Sequence, residues 1–210
     1  MTPYYSDDAV TIYHGDCRDL IDGLEFDVIV TDPPYGIDYG NQRKGSGALW
    51  QTEFIVGDES TALAEWLLGL PMPMVVFGAH EFAHLLPSGG HFVCWDKRVS
   101  ERADAMPGTP FELAWSSSAT RHRMIRCQHG GAINANGAGL ARVHPTEKPV
   151  PVMRRLIDEV EGAMVMDPFM GSGTTLRAAK DLNRRAIGIE IDERYCEIAA
   201  RRCSQEVLAL

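Results

Sequence analysis

The chain has no run of about eighteen apolar residues, so no stretch of it is written to cross a membrane as a helix. Its opening residues, Met1-Thr2-Pro3-Tyr4-Tyr5-Ser6-Asp7-Asp8, hold neither a basic stretch nor an apolar core, which argues against a secretory signal. Cysteine is scarce: there are five, Cys17, Cys94, Cys127, Cys196 and Cys203, an odd number with no Cys-x-x-Cys pair. That pattern speaks for reduced thiols in a cytoplasm and against a disulfide framework or a zinc site. The seven histidines show no ligand spacing, and His80 and His84 have only Glu81 beside them, so no metal is expected. Internal repeats and low-complexity stretches are lacking as well.

What is present is the composition of a globular protein, 45% hydrophobic and 23% charged, over 210 residues, which is the length of one domain with a substantial core. The net charge of −9 argues at first sight against a polyanionic partner. Its distribution argues the other way. From Lys97 to Arg155 ten basic residues face four acids, so this segment carries +6 and the remainder −15. A basic middle in an acidic body is a local footprint for phosphates, with a solvated basic face as the plainer alternative.

Apolar patterning predicts strands at Val10–His14, Asp27–Thr31, Met74–Phe77 and His91–Trp95, and weaker ones at Phe111–Trp115 and Arg123–Cys127. Helices are expected after Ser60, over Ala79–Leu86, after Pro149, from Thr174 to Leu182 and from Glu193 to Cys203. Strands at Ala163–Met166 and Ala186–Ile189 separate the last three helices. The alternation means an α/β fold, mostly a parallel sheet with helices on both faces. The polar, glycine-studded stretch from Gly36 to Gly57 is expected to be a mobile flap, and Gly130–Gly139 a loop.

Two strand ends carry the chemistry. Asp32-Pro33-Pro34-Tyr35 puts an acid, two prolines and an aromatic ring where open α/β sheets bind ligands. Asp167-Pro168-Phe169-Met170-Gly171-Ser172-Gly173-Thr174-Thr175 joins a strand to a helix through glycines that permit close backbone approach and positive φ, with Thr174 or Thr175 available as a cap. No Lys follows the glycines, and position 176 is Leu, so neither the phosphate loop nor the dinucleotide fingerprint is met. Glu190, nineteen positions after Gly171, stands where an acid accepts hydrogen bonds from ribose hydroxyls. A ligand with a ribose, no polyphosphate and a positive sulfonium suits a site between Asp167 and Glu190; S-adenosyl-L-methionine has that description.

With these motifs the chain resembles the DNA methyltransferases that modify exocyclic amino groups of adenine or cytosine. The likeness rests on Asp32–Tyr35, on Asp167–Thr175 and on His144-Pro145-Thr146-Glu147-Lys148-Pro149, covering roughly 10–39 and 144–203. The catalytic motif precedes the cofactor loop by 135 positions, the permuted order called beta in that family. The resemblance implies a Rossmann-like S-adenosylmethionine-dependent fold, with Asp32, Pro33, Pro34 and Tyr35 as catalytic residues. It also implies a cofactor site of Asp16, Asp32, Lys148, Asp167, Pro168, Phe169, Gly171, Ser172, Gly173, Thr174, Thr175 and Glu190. Asp16 would help hold the cofactor's adenine; Lys148 would contact the cofactor carboxylate or face solvent.

A base amino nitrogen is a poor nucleophile because its lone pair is delocalised into the ring. Acceptors at the Asp32 carboxylate and the Pro33 carbonyl, held by the two prolines, would draw on its hydrogens and free the lone pair. Tyr35 offers a π-face to a base that has left the duplex. Arg121, Arg123 and Arg126 are candidates for phosphates or base edges, within a small inserted recognition region at about 97–143 of a single domain, 1–210. So small a region suggests a short recognition sequence or help from a second subunit. The expectation is thus a cytoplasmic enzyme that methylates DNA at N6 of adenine. The alternatives are N4 of cytosine and a cofactor-binding DNA-binding module without catalysis.

Overall fold

A computed structural model describes residues 1–38, 55–98, 109–127 and 147–205. Most of the expected flap, the glycine-rich 130–139 stretch and His144–Thr146 lie outside the described residues. In chain order the elements are β1 (Tyr5–Ser6), β2 (Val10–His14), α1 (Cys17–Leu20), β3 (Val28–Thr31), α2 (Ala62–Leu68), β4 (Met74–Phe77), β5 (His91–Asp96), β6 (Phe111–Ser116) and β7 (Arg123–Arg126). There follow α3 (Val150–Asp158), β8 (Met164–Asp167), α4 (Thr174–Asp181), β9 (Arg185–Glu190) and α5 (Glu193–Cys203). The stretch Ala79–Leu86, expected to be a helix, contains only a 3-10 turn at Ala83–Leu85. At its start the Ala79 N–H donates to the Leu113 carbonyl at 3.2 Å, and at its end Leu86 is extended ahead of Pro87.

The strands form one sheet in the order β1-β2-β9-β8-β3-β4-β6-β5-β7. From β2 to β4 every neighbour is parallel, as the alternation of strands and helices requires. Beyond β4 the sheet turns mixed: β6 is antiparallel to both β4 and β5, and β7 returns parallel to β5. Residues 109–127 of the expected insertion therefore build strands of the main sheet.

Strand periodicity sorts the core onto two faces. Val28 and Val30 join Val75, Phe77 and Val93 on one side, against Val152, Met153, Leu156 and Ile157 of α3, Leu176 of α4 and Ala199 of α5. Ile29 points the other way and packs with Val76, Met166 and Ile189 against Ala64 and Leu67 of α2. All four residues of β3 and of β4 are buried, because both faces of these central strands are covered.

The feature that positions the site is the pairing of β3 with β8, Val28 opposite Val165 and Ile29 opposite Met166. After β3 the chain leaves toward β4, and after β8 toward β9, in opposite directions along the sheet. Such a reversal opens a crevice at the strands' carboxyl ends. Asp32 and Asp167, 135 positions apart in sequence, thus end adjacent strands.

Under this crevice β9 carries Gly188, opposite Asp167. A Cβ there would come within 2.5 Å of Met170 Sδ and 2.7 Å of Leu176 Cδ2, so the glycine lets the loop after β8 settle on the sheet. Gly188→Ala should therefore cost about 1–3 kcal/mol of stability through overpacking. Urea unfolding measures it, and an unchanged midpoint would show that the loop does not depend on this contact.

Candidate active site

Asp32 follows β3 directly, and its two carboxylate oxygens have different partners. The Tyr35 hydroxyl donates to Oδ1 at 2.5 Å, and Lys148 Nζ donates to Oδ2 at 2.5 Å. The same ammonium donates to the Tyr35 hydroxyl oxygen at 3.2 Å and lies 3.3 Å from Glu112 Oε2. Lys97 pairs with the other oxygen of Glu112. Two ammonium groups and two carboxylates thus alternate through a largely buried cluster, with the Lys148 side chain only 6% exposed.

Burial works against the Lys148 charge, but Asp32 and Glu112 overcome it and hold the amine above its ordinary value. Burial likewise pushes Glu112 up, and Lys148 with Lys97 pulls it below the usual carboxylate range. At Asp32 burial is the largest influence and raises the carboxyl, with Lys148 opposing. Burial and the neighbouring Asp32 carboxylate drive the Tyr35 hydroxyl well above its ordinary value, so it stays a donor.

The Tyr35 ring is packed as tightly as its hydroxyl is bonded. Gly78, at φ 75°, lies against it so closely that any Cβ would run into the ring. His80 meets it edge-on with centroids 6.5 Å apart, and Phe82 lies at 6.4 Å. Lys148 stands 5.1 Å from the Phe77 ring centroid, which further stabilises its charge.

On the neighbouring strand Asp167 is 2% exposed. Its Oδ1 accepts from Thr31 Oγ1 at 2.6 Å and from the Phe169 N–H at 3.1 Å. Burial pushes its carboxyl up to about 6, against hydrogen bonds from the Thr175 and Thr31 side chains. The loop that follows turns through Gly171 (φ 49°) and Gly173 (φ 78°). Gly173 itself occupies the N-cap of α4, in the left-handed region. Neither Thr174 nor Thr175 caps the helix as expected: both are buried inside its first turn, and the Thr175 hydroxyl serves Asp167. A side chain at Gly173 would strike Ala199 of α5 at 2.7 Å, so a hydroxyl-bearing cap does not fit there.

Glu190 ends β9, where its Oε2 accepts from the Gly171 N–H and its Oε1 from the Asp192 N–H, both at 2.9 Å. Burial raises its carboxyl above the usual value. Asp16, just past β2, caps α1 by accepting from the Arg18 N–H at 2.9 Å, and the Arg18 guanidinium holds its carboxyl below the ordinary range. The Gly15 N–H donates to the Glu190 carbonyl at 2.9 Å, joining these two strand ends. Arg202 of α5 donates to Ser172 O and Oγ at 2.8 and 2.9 Å and pairs with Glu147 at 2.6 Å, which ties the approach to Lys148 onto the loop. Phe169 stands edge-on to Trp66 at 6.4 Å, with Pro168 between it and Asp167.

The fold thus brings Asp16, Asp32, Lys148, Asp167, the glycine loop and Glu190 to one edge of the sheet. Of the three arginines, Arg121 and Arg123 are not gathered with them. Arg126 ends β7 on that same edge, with a side chain 72% exposed and 3.9 Å from Asp96. Arg123 starts β7 at the opposite end, paired with Glu159 at 2.9 Å, and exposed Arg121 precedes it. Glu112, Lys97 and Gly78 were not among the site residues expected from the sequence, where the first two counted only toward the charge of the middle segment. An acid inside the apolar Phe111–Trp115 run was the one available signal for Glu112.

A family model described as DNA methylase matches residues 95–201, which is half of the chain. The chain belongs to the DNA methylase family. Among curated relatives it is 46% identical over 65 residues to the Type II methyltransferase M2.DpnII of Streptococcus pneumoniae, covering 30% of this chain and 24% of that one. Two solved structures share the fold. The M1.HpyAVI–SAM complex matches with a TM-score of 0.55 at 22% identity, over 93% of this chain and 100% of that one. The cytosine-N4-specific PvuII DNA methyltransferase matches with a TM-score of 0.63 at 15% identity, over 99% and 90%.

The raised Asp167 makes a pH dependence that can be signed. The unfolded chain releases this proton near 3.8 and the folded one near 6, so ionisation opposes folding and stability from this group falls as pH rises through that window. Asp167→Asn keeps an acceptor without the charge. Relative to that variant, wild-type protein should lose about 2 kcal/mol between pH 4.5 and 7.5, read by urea unfolding. A difference that stays flat with pH would contradict a buried, titrating Asp167.

Proposed function

We propose that this chain transfers a methyl group from S-adenosyl-L-methionine to the exocyclic amino group of a DNA base, N6 of adenine in preference to N4 of cytosine. The observation that carries the reading is the Asp32 carboxylate, held by Tyr35 and Lys148 at a strand end beside the Asp167 loop. The loop suits that donor. Asp167 and Glu190 accept hydrogen bonds from hydroxyl and backbone donors, leaving negative charge for a cation and ribose hydroxyls. The solved relative M1.HpyAVI is described as a complex with SAM, which supports the same choice.

When bound, the cofactor supplies an electrophilic methyl group on a positive sulfur. The protein does the rest. Asp32 accepts a hydrogen of the amino group, so the nitrogen lone pair is turned toward the methyl carbon. An amino nitrogen methylated there would carry one proton too many. Asp32, its proton affinity raised by burial, is placed to take that proton. Each of its oxygens accepts a hydrogen bond and has a second lone pair to offer an amino hydrogen of an entering base. Lys148, shared with Glu112, holds the carboxylate in place from the other side.

The adenine preference rests on the family resemblance of Asp, rather than Ser, at position 32. The N4-cytosine reading is the second one, favoured by the likeness to PvuII methyltransferase. Arg126, on the same edge and exposed, is the arginine best placed for a DNA phosphate. In a bacterium, the source of the M2.DpnII relative, a DNA substrate would put the protein in the cytoplasm.

Unmethylated DNA treated with protein and cofactor, digested to nucleosides and weighed by mass spectrometry, should show N6-methyladenine. N4-methylcytosine would change the base, and no product at all would leave a binding module. Asp32→Ala should lower the transfer rate by about 10²–10⁴-fold, with cofactor affinity by calorimetry within a few-fold of wild type. Retained transfer in that variant would remove Asp32 from the mechanism.

A further inference from the structure

Asp58 lies in the turn before α2 and is 4% exposed. Its side chain is directed at the backbone that leaves Tyr35. One oxygen, Oδ1, accepts from the N–H groups of Tyr35 at 2.9 Å, Gly36 at 2.9 Å and Ile37 at 3.4 Å. Three successive backbone N–H groups converging on one point make a nest of the kind that binds anions. Here the anion is a side chain of the same molecule.

The grip is reciprocal. The Asp58 carbonyl accepts from the Asp38 N–H at 2.8 Å. Gly36, at φ 77°, is pressed against the backbone of Ser60 and Thr61, where a Cβ would come within 2.6 Å of both. Residues 58–61 therefore hold residues 35–38 through side chain, main chain and close contact at once.

Through this grip we propose that Asp58 is the positioning residue of the Asp32–Tyr35 turn, a role that rests on reading that turn as the methyl-transfer site. The prolines restrict the chain from Asp32 to Pro34 and end there. What fixes the next residue is Asp58. Tyr35 must keep its ring against Gly78 and its hydroxyl 2.5 Å from Asp32, and both depend on where its Cα stands. Losing the acceptor frees three N–H groups to seek other partners, and the Tyr35 backbone moves with them. A displacement of about 1 Å at such a point can cost around 10²-fold in rate without abolishing binding. Asp58 acts on the reaction only through Tyr35.

The test compares Asp58→Ala with Asp58→Asn, whose amide oxygen can accept the same N–H groups without charge. In methyl transfer to DNA under saturating cofactor, Asp58→Ala should lose about 100-fold in kcat, with cofactor affinity by calorimetry within threefold. Asp58→Asn should recover kcat to within about fivefold of wild type. Amide exchange of Tyr35 and Gly36 should speed up in the alanine variant and return to wild-type protection in the asparagine one. Three results overturn the proposal: a folded Asp58→Ala protein with wild-type kcat, an asparagine variant as slow as the alanine one, or unchanged amide protection in both. If wild-type protein itself transfers no methyl group, the reading of the site fails. The amide exchange still decides whether Asp58 holds the turn.

Discussion

Everything at this site depends on one hydrogen bond between neighbouring strands, from Thr31 Oγ1 to Asp167 Oδ1 at 2.6 Å. Thr31 is the last residue before the Asp32–Tyr35 turn, and Asp167 the first of the glycine loop. Both groups are buried, so neither can exchange its partner for water, and leaving either unpaired would cost on the order of 1–3 kcal/mol. The bond fixes the separation of the turn that would hold a base and the loop that would hold a methyl donor. Parallel pairing of β3 with β8 makes it possible, and the covered faces of both strands keep it dry.

Around it the site is built from charges that water would normally claim. Lys148 shares one ammonium between Asp32 and Glu112, and Lys97 completes the alternation at the Glu112 end. Removing any one member leaves an uncompensated buried charge, which is why such a cluster acts as a unit. Its members come from β3, β6 and the entries to α3 and to the segment after β5, so the mixed half of the sheet is part of the site. The antiparallel strand β6 carries Glu112 beside a motif whose parallel strands lie on the other side.

Much of this was legible in the residues. The alternation of strands and helices, the Asp32–Tyr35 turn, the glycine loop and the acid at Glu190 follow local rules of periodicity, turn chemistry and spacing, and they reappear where those rules put them. The 3-10 turn in place of a helix at Ala79–Leu86 and the glycine in place of a threonine at the α4 cap are different. At the cap, the close approach of Ala199 decided the outcome, and a contact with a residue 26 positions away leaves no mark in the loop's own sequence.

Glu112 and Asp58 mark the same boundary. Each is an acid in an ordinary sequence context, one in a short apolar run and the other among polar neighbours. Their importance comes from what they meet: an ammonium 36 positions later, and three backbone N–H groups more than 20 positions earlier. By itself the sequence determined the kind of fold, the two strand-end motifs and the kind of chemistry they suit, because those depend on near neighbours along the chain. Tertiary structure alone decided that the two motifs end adjacent strands, which acids support them, and which arginine shares their edge. Those depend on sheet order, and sheet order is set by how distant segments bury their apolar faces together.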